Sequence, residues 1–276
     1  MSVKKILFKA NKQVFGSMIG SHVSLFQGEG FEFTQLREYV YGDDVRKIDW
    51  KTTAKLGKPF VKIYNEEREL NVVTALMIGG SCYFGTSRAK SEVMSELVAL
   101  IGLSARKHGD RFSSMIFADR LHHYTKPSKK IFAIREAIGH VECFDMLGKE
   151  SNYHTFFERL YSGIKRRSLI FIISDFVGDI DLTLLSKKHD IVALIIRDKF
   201  EENPQALGLV HLLDMEVALS FEGDFEEASL ANYQMEFKKH DEQLHAHLKK
   251  NAIRYSKIYT DDEVYLKLMK LFGRQQ

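Results

Sequence analysis

Asn71-Val72-Val73-Thr74-Ala75-Leu76-Met77-Ile78-Gly79-Gly80-Ser81-Cys82 is the stretch that decides the fold. Residues 72–78 are apolar at both odd and even positions, which is the pattern of a strand covered on both faces. Two glycines then punctuate the chain. A long helical pattern follows over residues 87–108, with Val93, Leu97, Leu100, Ile101 and Ala105 on one side. The same alternation continues outward. Residues 111–118, 168–174, 191–196 and 253–259 read as strands, and residues 129–138, 155–165, 182–188, 230–251 and 262–272 as helices. Strands that are apolar on both faces and alternate with helices predict an α/β fold, a mainly parallel sheet with helices on both faces. Val217 to Phe221 is expected to be extended, with a turn at Gly223-Asp224.

Composition narrows the function classes. The 276 residues carry 40 Lys+Arg against 37 Asp+Glu, a net charge of +3, and 45% hydrophobic residues. That is ordinary globular composition, with no global drive towards nucleic acid. The basic runs Lys129-Lys130, Lys165-Arg166-Arg167 and Lys187-Lys188 are scattered and read as solvated helix ends, so no nucleic-acid partner is expected. Cys82 and Cys143 both sit among apolar neighbours and read as reduced core thiols. The longest apolar runs are one strand long, far short of the roughly 20 residues of a membrane-spanning helix. Lys9 and Lys12 interrupt the first apolar run before a signal-peptide core can form, so a cytoplasmic protein is expected. Val3, Leu7, Ala10 and Val14 lie at helical spacing in a lysine-rich segment. This helix packs on its own domain, or residues 1–20 make a peripheral contact with an anionic membrane or a partner helix.

In a parallel sheet ligands sit at the carboxyl ends of the strands, here after Met77 and after Ile173-Ser174-Asp175-Phe176. No Lys-Ser or Lys-Thr pair follows Gly79-Gly80, so a phosphate loop is excluded. Tyr83 stands where a nucleophile elbow needs its second glycine. A small-residue turn is therefore the leading account of this loop. A serine hydrolase using Ser81 is the alternative from another class. No His-Glu-x-x-His or Cys-x-x-Cys occurs, and the histidines read as surface or core residues.

Residues 28–70 have a different texture, dense in charge, aromatics and turn residues. The run Gly28-Glu29-Gly30-Phe31-Glu32-Phe33, Leu36-Arg37-Glu38-Tyr39, Gly42-Asp43-Asp44-Val45-Arg46, Ile48-Asp49-Trp50-Lys51, then Ala54 and Gly57, resembles the signature of the bacterial domain of unknown function 58 family. Phe84-Gly85, Ile173-Ser174-Asp175-Phe176, Arg197-Asp198 and Tyr259-Thr260-Asp261 extend the resemblance over nearly the whole chain. The resemblance implies a von Willebrand A-like (Rossmann-type) domain in the second part. It also implies an adaptor role with a MoxR-type AAA+ ATPase and its client protein, without catalysis.

A von Willebrand A domain holds a divalent cation through Asp-x-Ser-x-Ser, a threonine and a second aspartate. Aligned on Phe84-Gly85, the first Asp falls at Met77, the first Ser at Gly79 and the second at Ser81, while Asp175 fits the last position. The threonine falls at His154 or Thr155. A thioether and a glycine are poor donors for hard Mg²⁺. No metal and no cofactor are therefore expected. Gly79, Ser81, Thr155 and Asp175 become the loops of a degenerate site that meets a partner.

The signature has its own physical reading. Arg37, Glu38, Asp43, Asp44, Arg46, Asp49 and Lys51 place opposite charges close together beside Tyr39, Tyr41 and Trp50. They form an internal network in which arginines clamp carboxylates and Trp50 packs beneath. Alternatively they make an exposed docking surface. The expected organisation is an N-terminal extension, residues 1–70, followed by the α/β domain, residues 71–276. The expected function is a non-enzymatic adaptor.

Overall fold

The computed structural model describes residues 2–16, 35–41, 43, 45, 48–63, 69–205, 208–216, 219–225 and 227–272. In chain order the elements are α1 (Val3–Gly16), β1 (Gln35–Glu38), α2 (Trp50–Leu56), β2 (Phe60–Ile63), β3 (Asn71–Met77), α3 (Lys90–Lys107), β4 (Arg111–Phe117), β5 (Leu121–Ser128), α4 (Ile131–Cys143) and α5 (Tyr153–Gly163). They continue with β6 (Leu169–Ser174), α6 (Thr183–Lys188), β7 (Asp190–Arg197), α7 (Lys199–Glu202), β8 (Gly208–Asp214), β9 (Leu219–Phe225), α8 (Glu227–Lys250), β10 (Arg254–Tyr259) and α9 (Val264–Phe272).

Six strands form the main sheet in the order β10-β7-β6-β3-β4-β5. All neighbours are parallel except β5, which runs antiparallel to β4. Counting only this sheet's strands by sequence, the order is 6-5-4-1-2-3, the doubly wound arrangement. The alternation within each strand explains why both faces are buried. Val72 and Leu76 of β3, Phe171 and Ile173 of β6, and Val192, Leu194 and Ile196 of β7 join α3, α4 and α9 in one core. The intervening Val73, Ala75, Met77, Ile170, Ile172, Ala193 and Ile195 join α5, α6 and α8 in the other.

Three features depart from the sequence reading. Helix α1 does not belong with an extension spanning residues 1–70. By contacts residues 1–26 group with 70–276, and residues 27–69 form a separate unit. Ile6, Leu7, Ala10 and Val14 are buried in the core with α3 and α4. The apolar face that a membrane or partner helix would take is thus already covered, leaving Phe8 exposed. The second departure is β5, an edge strand too polar to read from periodicity, with Pro127 where only an edge tolerates it. The third is the β8–β9 hairpin. Gly223-Asp224 lies within β9, and the turn falls at Met215-Glu216.

In the smaller unit β1 and β2 pair antiparallel, with Arg37 opposite Val61 and Glu38 opposite Phe60. Asp49 starts α2 by accepting the N–H groups of Lys51 and Thr52 at 3.1 and 3.4 Å. Among the described residues no helix is long and apolar enough to cross a membrane.

Candidate functional site

The strand order of the doubly wound sheet reverses between the parallel neighbours β3 and β6, and the loops after these two strands bring Ser81 and Asp175 together. Ser81 lies in a short 3₁₀ turn, Gly80–Tyr83. Its Oγ donates to Asp175 Oδ2 at 2.7 Å. Asp175 follows β6 directly and is held by a strained turn. Phe176, with φ +53°, adopts a left-handed conformation unusual for a side-chain-bearing residue. The Tyr153 hydroxyl, from the first turn of α5, donates to Asp175 Oδ1 at 3.1 Å and meets Ser174 Oγ at 2.7 Å.

The remaining partner is a cation supplied by the chain itself. Lys90 opens α3, is 1% exposed, and places Nζ 3.3 Å from Asp175 Oδ2 and 2.6 Å from Glu201 Oε1. Glu201 is fixed in turn by the capping box of α7, where its Oε2 accepts the Asp198 N–H at 3.0 Å. Asp198 is buried as well. It accepts the Thr86 N–H at 2.8 Å and the hydroxyls of Thr86 and Thr260. The loops at this end of the sheet are thereby tied into one continuous hydrogen-bonded chain from Ser81 to Thr260.

The charges agree with that geometry. Burial pushes the Asp175 carboxyl upward, but the Lys90 ammonium and the Ser81 hydroxyl outweigh it and hold the group at about 2. Burial also pulls Lys90 down, and Asp175 and Glu201 reverse the effect, leaving the amine protonated well above its ordinary value. Burial and the Asp175 charge raise Tyr153. The same two causes push the Cys82 thiol up to about 12. At neutral pH the centre is an ion triad of Asp175, Lys90 and Glu201, with a neutral phenol and a neutral thiol beside it.

These residues do not fit a hard divalent cation. Met77 turns its thioether into the apolar core. Gly79 offers no donor, and a Cβ there would lie 2.5 Å from Ser151 Oγ and 2.8 Å from Glu216 Oε1, so both side chains would have to move aside. The ammonium of Lys90 already provides the positive charge facing Asp175. At the third position the helix contributes Tyr153 to Asp175. Thr155 gives its backbone N–H to Asn152 Oδ1, the N-cap of α5. Nor is Ser81 set up as a nucleophile, since it donates to a carboxylate paired with lysine rather than to an imidazole. The glycines have a packing reason instead. A Cβ on Gly80 would lie 2.1 Å from the Met215 carbonyl oxygen, so the loop is the seat of the β8–β9 turn.

Of the sequence-derived residues the structure unites Ser81 and Asp175 and places Gly79 beside them. Lys90, Glu201 and Tyr153 escape a reading of the sequence. A lone lysine at a helix start carries no pattern that marks it as buried. Asp198 and Thr260 stand in the family-like motifs, but nothing there signals where their side chains lead.

In the signature unit the Arg37 guanidinium grips Asp43 through Nη2, at 2.8 and 3.0 Å from its two oxygens. The Val40 N–H donates to Asp43 at 2.9 Å and, with Arg37, lowers the carboxyl below its ordinary value. Glu38 pairs with Lys58 at 3.2 Å, and Asp49 caps α2. Lys51 is exposed and contributes its backbone N–H. Asp44 and Arg46 lie outside the described residues. Trp50 does not pack beneath the charges, being 69% exposed, with Tyr41 fully exposed. Its place in the first turn of α2, just after the Asp49 cap, sets it out on the surface. Cys143 is also exposed rather than part of the core.

Fold and site together define a doubly wound α/β protein whose strand-reversal crevice is closed by a buried, carboxylate-bound lysine. The chain belongs to the DUF58 family, described as a protein of unknown function, whose family model matches residues 35–243. It is 25% identical over 231 residues to the uncharacterized proteins Mb1516 of Mycobacterium bovis and Rv1480 of Mycobacterium tuberculosis, covering 78% of this chain and 70% of each relative. Similar solved structures include an aerotolerance-related membrane protein from Bacteroides fragilis, at 12% identity and TM-score 0.46, covering 73% of this chain and 96% of that one. BatB from Bacteroides thetaiotaomicron is similar at 10% identity and TM-score 0.44, covering 73% of this chain and 98% of that one.

Proposed function

We propose that this chain is a non-enzymatic adaptor that docks a MoxR-type AAA+ ATPase and its client, with its α/β domain a von Willebrand A-like fold whose metal site has been replaced by Lys90. The observation that carries the reading is the exposure of Trp50 and Tyr41 beside the Arg37–Asp43 clamp. Large aromatic side chains contribute most to protein–protein binding when buried at an interface. Trp50 stands in the first turn of the capped helix α2, and Tyr41 in the turn next to the Arg37–Asp43 clamp. The triad at the strand-reversal crevice supports the non-enzymatic part. Asp175 is saturated by partners within the chain, which leaves the loop rim, with Phe84 and Val177 exposed on it, as a contact surface.

The reading is tested with the full chain and a purified MoxR-type ATPase of the same organism, loaded with a non-hydrolysable ATP analogue, by titration calorimetry. Trp50→Ala is expected to weaken binding by at least tenfold, at unchanged folding. No binding, or binding indifferent to both Trp50→Ala and Tyr41→Ala, overturns it.

A further inference from the structure

The polar edge of the main sheet carries a second cluster, separate from the Asp175 centre. His123 lies on β5, opposite Ile116 of β4. Glu136 and His140 lie one helical turn apart on α4, so they share a face. The two imidazoles stack with centroids 3.5 Å apart and planes 20° from parallel. His123 Nε2 lies 3.3 Å from Glu136 Oε1 and 3.1 Å from Thr125 Oγ1. One donor atom from each of the three residues lies within 4.8 Å of the other two. Among the described residues no other group of three His, Cys, Asp or Glu side chains converges in this way.

We propose that His123, Glu136 and His140 form a binding site for a divalent transition-metal ion of the zinc class. Tetrahedral Zn²⁺ with nitrogen and oxygen donors at about 2.0–2.2 Å needs donors separated by roughly 3.3 Å. The three donor atoms lie within 4.8 Å of one another, and binding requires the two imidazoles to turn out of their stack so that their in-plane lone pairs converge on the ion. Two imidazoles with one carboxylate favour Zn²⁺ and its neighbours over Mg²⁺ or Ca²⁺, which require an all-oxygen shell. The frame is rigid where it must be. Ala133, Ala137 and Val141 of α4 are buried in the core, and Thr125 is buried beneath His123. Glu136 and His123 are partly covered, while His140 stands at the rim. Three protein donors leave the fourth position to water or to a donor from a bound partner. His122 takes no part. It pairs with Asp119 at 2.6 Å and packs its ring on Phe144. The sequence spacing hides the site because its ligands are 13 and 17 residues apart across an edge strand that periodicity does not reveal.

The metal-stripped full chain is titrated with Zn²⁺ against a chromogenic chelator, and thermal melts are recorded with and without Zn²⁺. One ion per chain and a Zn²⁺-dependent rise in Tm are expected. His140→Ala and Glu136→Gln, both at positions outside the core, should each weaken Zn²⁺ binding at least tenfold and abolish the rise. His154→Ala is the control, since His154 forms an exposed surface pair with Glu158 at 3.8 Å and should leave binding unchanged. Absence of binding, binding unaffected by His140→Ala and Glu136→Gln, or an equal loss in His154→Ala overturns the proposal.

Discussion

Lys90 Nζ stands 3.3 Å from Asp175 Oδ2, although the two residues lie on different elements and both are buried. With Glu201 at 2.6 Å from the same ammonium, one cation is set against two carboxylates. A buried charge left without its partner is costly, because the lost attraction is not replaced by water. Lys90→Met is therefore expected to destabilise the protein by about 3–5 kcal/mol. Adding Asp175→Asn to it should recover part of that loss, because one of the two stranded charges is removed. Urea unfolding of the single and double variants checks both statements.

Asp175 also sets a pH dependence. Its carboxyl sits at about 2 in the folded chain against the ordinary 3.8, so the folded state holds the proton less tightly than the unfolded state. The stabilisation is complete above the unfolded value and is lost as pH falls from there towards the folded value. The stability gap between the wild type and Asp175→Asn should be constant from neutral pH down to about 5 and narrow below 4. Denaturant titrations at stepwise pH measure the gap. A gap that widens on acidification contradicts an ionised Asp175.

Ser81 is expected to behave as a structural donor. Ser81→Ala removes a 2.7 Å hydrogen bond to a buried carboxylate. Hydrogen bonds to charged groups are worth about 1.5–3 kcal/mol, and the loss should fall in that range. A serine-directed phosphonate should leave the wild-type protein unlabelled at Ser81 by mass spectrometry. Stoichiometric labelling would revive the hydrolase reading and count against the adaptor.

The central strands are legible because burial on both faces writes itself into every residue. In β3, β6 and β7 odd and even positions feed two different cores, so the run is apolar throughout. Strand β5 is not legible, for the converse reason. Its exposed edge carries His122, His123, Lys126 and Pro127, and the only buried residue on it is Thr125. At the site, Ser81 and Asp175 can be found because the carboxyl ends of β3 and β6 are where a doubly wound sheet gathers its loops. Lys90 cannot, since only the tertiary fold brings a lysine of α3 against Asp175 and a glutamate 111 residues further on. Trp50 misleads because aromatic residues next to charges read equally well as packing or as docking, and burial alone decides.

Two glycines that look alike in sequence should respond oppositely to alanine. Gly80 faces the Met215-Glu216 turn, and a Cβ there would stand 2.1 Å from the Met215 oxygen and 2.6 Å from the Glu216 nitrogen. Those are backbone atoms, and the Met215 oxygen also accepts the Gly148 N–H at 2.9 Å. The turn must move away, and the Gly148 hydrogen bond is broken with it. Gly80→Ala should cost about 1–3 kcal/mol, as overpacking does, and speed hydrogen exchange at the Gly148 amide. Gly139, inside α4, has open space where a methyl group would stand, with no atom of the surroundings within 4 Å. There alanine only relieves the poor helix propensity of glycine, so Gly139→Ala should stabilise by about 0.5–1 kcal/mol. Urea unfolding of the two variants, read together, separates close packing at the strand-reversal loop from general intolerance of substitution. Equal losses at both positions would show that the Met215 contact is not what holds Gly80 in place.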